Sequence, residues 1–68
     1  MSVVFKTADT KARASWGKGW EHLSVEQRRN AVAFEILAMS TQQDPSVSAE
    51  RIRQVNEEAY TAMVEKYS

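Results

Sequence analysis

The sequence has no cysteine, one proline and two glycines in 68 residues. Without cysteine there is no disulfide and no thiolate metal site, staples that a small secreted domain would ordinarily need. That absence points to the cytoplasm. So few chain breakers argue against a turn-rich β architecture and in favour of helices. Long apolar runs are also missing. The longest extends from Ala31 to Met39 and is interrupted by Glu35, whereas a membrane span requires ~20 apolar residues. The opening M-S-V-V-F-K has neither a basic leader nor a long apolar stretch, so no signal peptide is expected. A net charge of one sign is lacking as well. Lys and Arg number 9 and Asp and Glu number 9, unlike the basic excess of most DNA readers.

What is present suits one small folded domain. Hydrophobic residues make up 43% and charged residues 26%, a globular composition. Charge is unevenly distributed: residues 1–30 hold six bases against three acids, and residues 31–68 hold three bases against six acids. Such a dipole suits a solvated surface, a head-to-tail contact or a nucleic-acid face.

Hydrophobic spacing predicts an all-α fold. In residues 1–7, Val3, Val4 and Phe5 are β-branched or aromatic and favour extended backbone. They read as a flexible or docked arm, or as a short strand pairing with its own copy, ahead of a single domain over residues 8–68. Ala8, Ala12, Trp16, Trp20 and Leu23 then recur at helical spacing. Gly17 and Gly19 oppose a continuous helix. The expectation is a helix over 9–17, followed by an irregular turn through Gly19. A helix continuing to His22 requires both Trp rings to be buried.

Residues 25–40 give the clearest helix. Ser24 and Gln27 form a capping box, in which each side chain satisfies the other's backbone N–H. Val25, Val32, Ile36 and Met39 project to one face at about 100° per residue. Ala31, Phe34 and Ala38 project nearly opposite, with Ala33 and Leu37 between. A helix this apolar must be covered on more than one side. Pro45 ends it, and Asp44-Pro45, Ser46 or Ser48 starts the next helix, expected over 46–67. There Ile52, Val55, Ala59, Met63 and Tyr67 make the buried stripe. The expected architecture is an antiparallel hairpin of these two helices with a shorter N-terminal helix against it.

Catalytic and metal chemistry lack their parts. His22 is the sole histidine, too few for a zinc site. Ser24 is explained as a cap, Glu57 and Glu58 fall on a water-facing side, and Gly17-Lys18-Gly19 lacks phosphate-loop spacing. No enzyme activity, metal or cofactor is expected. The central helix, greasier than its neighbours can cover, suggests a protein-binding module, expected as a homodimer. Its expected interface residues are Trp16, Trp20, Ala31, Phe34, Leu37 and Ala38. The alternative is a small nucleic-acid regulator using Lys11, Arg13, Lys18, Arg28 and Arg29, with Trp16 and Trp20 stacking on bases.

Overall fold

The computed structural model describes residues 2–68. The chain forms α1 (Val3–Trp16), a 3-10 segment (Gly17–His22), α2 (Val25–Gln43), α3 (Ala49–Val55) and α4 (Glu57–Lys66). Among the described residues there is no strand.

Helix α1 begins at the segment expected to be an arm. The Ser2 hydroxyl accepts from the Phe5 backbone N–H at 3.1 Å and caps it. Residues 3–7 are therefore its first turns, continuous with the rest of the helix. The reason is tertiary. Phe5, Ala8, Asp9 and Ala12 lie on one face and are buried, and covering that face outweighs the weak extended preference of Val3 and Val4. The helix stops where Gly17 adopts φ 57°, its N–H returning to the Arg13 carbonyl. Residues with a Cβ rarely adopt that backbone angle.

The turn through Gly19 is a regular 3-10 segment that separates the two tryptophans. Trp20 is buried at 6% exposure, and Trp16, the last residue of α1, is 51% exposed. They do not share one core stripe.

Helix α2 carries the capping box. Gln27 N–H donates to Ser24 Oγ at 3.1 Å, and Ser24 N–H donates to Gln27 Oε1 at 2.8 Å. The helix runs to Gln43, past the expected Ser40, and ends at extended Asp44, as the following proline requires. Asp44 closes the next turn by accepting from the Ser46 backbone N–H and hydroxyl. Of the three caps open in the sequence, Ser48 is the one used, accepting from the Arg51 N–H at 3.1 Å.

The last helix is two helices. At Asn56 the backbone turns to φ −113°, ψ 27°. Its amide donates to the Ile52 carbonyl at 2.9 Å and to Ser40 Oγ on α2 at 3.1 Å. An asparagine that hydrogen-bonds nearby backbone competes with helix continuation. The break re-aims the stripe: Ile52, Ala59, Met63 and Tyr67 are buried, while Val55 is left exposed.

Helices α1, α2 and α4 pack against one another in all three pairs. The shared core contains Phe5, Ala8, Ala12, Trp20, Val32, Ile36, Ala59, Met63 and Tyr67. Val32 and Ile36 of α2 are completely buried. Ala31, Ala33, Leu37, Ala38 and Met39 are half-buried. Val25, expected beside Val32, is exposed, and Phe34 is 65% exposed. The chain thus covers most of the apolar surface of its central helix but leaves Val25 at its start and Phe34 at its middle exposed.

Candidate functional site

Exposed Phe34 borders a groove between α1 and α2. Ala12, Ser15 and Trp16 line it from α1, and Gln27, Asn30, Ala31, Phe34 and Glu35 from α2. Its volume is about 450 Å³. Buried Ala12 and half-buried Ala31 form its floor, and the exposed Trp16 and Phe34 rings complete its apolar lining. Of the expected interface residues, the structure brings Trp16, Ala31 and Phe34 into this one groove. Leu37 and Ala38 do not line it, and Trp20 is part of the core.

Trp20 is held by an arrangement the sequence reading did not foresee. The Tyr67 ring meets it edge-on with centroids 5.9 Å apart. The guanidinium carbons of Arg13 and Arg28 lie 5.7 and 5.6 Å from its ring centroid, within cation–π range. Arg28 also donates to the carbonyls of Trp20 and Glu21 at 3.2 and 3.3 Å. Two of the five proposed nucleic-acid contacts, Arg13 and Arg28, are therefore engaged in internal contacts. Arg29 is half-buried, and Lys11 and Lys18 are exposed.

Among the described residues, Asp9 is the buried charged residue. Its carboxylate accepts from the Tyr67 hydroxyl and from Lys66 Nζ at 2.9 Å, and Arg13 Nε lies 3.2 Å away. Arg13 Nη2 also donates to the Tyr67 oxygen at 3.2 Å. Burial pushes the Asp9 pKa up, but donation from Tyr67 and Lys66 and the charges of Lys66 and Arg13 together hold it below the ordinary carboxylate value. A carboxylate so saturated with donors stays ionised and is poorly suited to proton transfer near neutral pH. Its role is to lock α1 to the end of α4. The Asp9–Arg13 pair is legible as i, i+4. Tyr67 is 58 positions from Asp9, and no local signal connects them.

The remaining chemical candidates are dispersed. His22 ends the 3-10 segment and is exposed. The Ser24 hydroxyl is occupied by its cap. Glu57 and Glu58 are exposed in the first turn of α4, where the helix dipole favours them. A wider trough along α3 and α4, about 710 Å³, includes Arg53, Glu57, Tyr60 and Val64 in its lining. Burial raises the Tyr60 pKa there, opposed by the nearby charge of Arg53. Among the described residues no group of three or more His, Asp or Glu side chains gathers as for a metal ion, and no helix is long and apolar enough to cross a membrane. Comparison with protein families, with curated proteins and with solved structures finds nothing that matches this chain.

Proposed function

We propose that the protein is a small non-enzymatic interaction module that docks another protein chain in the α1–α2 groove. The observation that carries this reading is the pair of exposed aromatics, Trp16 at 51% and Phe34 at 65%, which line one groove together with Ala12 and Ala31. Aromatic residues supply much of the energy of protein interfaces. Water contact with such rings costs about 25 cal/mol per Å² of apolar surface, recovered when a partner covers them. The module acts in the cytoplasm under this reading. The hairpin of α2 with α3 and α4 serves as a rigid support, with α1 completing the groove. A homodimer is one form the docking takes if the partner is a second copy.

The test is Phe34→Asp. Phe34 is exposed, so the thermal midpoint stays close to that of the wild type, while capture of a protein from lysate, or self-association seen by light scattering, is lost. A variant destabilised by the ~3–5 kcal/mol typical of a core aromatic would overturn the reading. A wild type that stays at 7.7 kDa and retains nothing that the variant releases would overturn it too.

Nucleic-acid binding remains the second reading, because Lys11 and Lys18 are exposed. Phosphate contacts make affinity fall steeply with salt. No DNA binding at a low salt of about 50 mM, in a titration designed on that basis, removes this reading.

A further inference from the structure

We infer that the groove's occupant is an acidic amphipathic helix of a partner protein. The inference rests on the docking reading above and adds the chemistry of the partner. It begins with the charges beside the groove. Residues 2–20 contain one acid, Asp9, and that carboxylate is buried and neutralised by Lys66 and Arg13. The exposed charges on this part of the chain are therefore all positive. Lys11 lies one helical turn before Ser15 on the α1 bank. Lys18 directly precedes Gly19, where an added methyl would stand 3.6 Å from Trp16 Cε3, so Lys18 belongs to the Trp16 end. Among the described residues neither lysine forms an ion pair. The nearby carboxylates, Glu35 in the lining and exposed Glu26 beside Gln27, lie on the α2 bank, so the two lysines make the α1 bank the positive one.

The shape fits a helix. From Gln27 to Glu35 the α2 bank is about 12 Å long at 1.5 Å per residue. Apolar anchors at i, i+4 and i+7 of a docked helix span roughly 10 Å, and helix-in-groove recognition uses that spacing. The anchors would lie between Trp16 and Phe34 over Ala12 and Ala31, and acidic residues on the flank would reach Lys11 and Lys18. A two-fold dimer through this groove would set the α1 bank of one copy against the α2 bank of the other, and the dilution series below reads that outcome. A nucleic acid would leave Phe34 and the alanine floor unused and would meet Glu35.

The experiment titrates the isotope-labelled protein with two helical peptides, followed by amide NMR shifts. Both carry Leu at the three anchor positions. One has Glu along its flank, and the other has Lys. A single-stranded oligonucleotide and a dilution series of the protein alone complete the set. The Glu peptide is expected to shift amides around Trp16, Ala31 and Phe34 and to bind about tenfold tighter than the Lys peptide at low salt, a gap that salt narrows. Lys11→Glu with Lys18→Glu reverses the order. Equal binding of the two peptides overturns the acidic-partner inference and leaves the docking reading standing. Binding of neither peptide also overturns the inference, and the docking reading is then decided separately by its Phe34→Asp test. Tighter oligonucleotide binding, or groove shifts on concentrating the protein alone, overturns it in favour of a nucleic acid or a second copy.

Discussion

Replacing Asp9 with asparagine removes one charge from the contact between α1 and α4 and changes little in volume. The wild-type carboxylate receives the Tyr67 hydroxyl, Lys66 and Arg13. Lys66 and Arg13 side chains are 42% and 48% exposed. Water therefore screens their pairs, each worth about 0.5 kcal/mol. Tyr67 is buried, so weakening its bond from charge-assisted to neutral costs about 1 kcal/mol. Together Asp9→Asn is expected to cost about 2 kcal/mol. A chain of 68 residues has a total stability of roughly 3–10 kcal/mol, so this is a large share. The midpoint should fall by about 8–16 °C. The pH dependence is the sharper readout. The folded pKa of Asp9 is depressed, so the folded state binds fewer protons than the unfolded one. The contribution is complete above the unfolded value, about 3.9, and is lost as pH falls through the folded value. Melting curves by circular dichroism should show a full gap between wild type and variant at neutral pH and a shrinking gap below about pH 4. A gap under about 0.5 kcal/mol at neutral pH, or one that persists unchanged into acid, would refute the reasoning.

Four further outcomes follow from the same structure. Trp20→Ala should cost about 3–5 kcal/mol in urea unfolding, whereas Trp16→Ala should cost under about 1 kcal/mol because its ring is half exposed. Gly17→Ala should lose about 1–3 kcal/mol through its positive φ alone, since a Cβ there meets nothing within 4 Å. Gly19→Ala should be neutral or stabilising in the same melts, its added methyl making an ordinary contact. Ser24→Ala removes the capping box of α2 and should cost about 1 kcal/mol by thermal or urea unfolding.

Signals confined to a few neighbouring residues were legible. Ser24 and Gln27 announce the start of α2, Pro45 its end, and Ser48 was among the three caps open for the following helix. The exposure of Phe34 follows from its position opposite Val32 and Ile36. What escaped depends on distant contacts. Val3 and Val4 suggest extended backbone, and only the burial of Phe5 and Ala8 against the rest of the chain makes them helical. The break at Asn56 depends on Ser40, 16 positions away. Without it the stripe reads straight through Val55, which is exposed. The separation of the tryptophans has a local cause, Gly17, but which ring turns inward depends on Tyr67, Arg13 and Arg28. Of the groove, Trp16, Ala31 and Phe34 are therefore legible as apolar residues, while Ala12 and Ser15 join them only through the packing of α1 on α2.

The tie between Asp9 and Tyr67 also bears on how the protein is made. A chain emerging from the ribosome offers α1 and α2 long before position 67 clears the exit tunnel. Until then Trp20 lacks its edge-on ring and Asp9 lacks its hydroxyl donor. The nascent segment can hold helix without closing its interior, so final closure waits until position 67 has emerged.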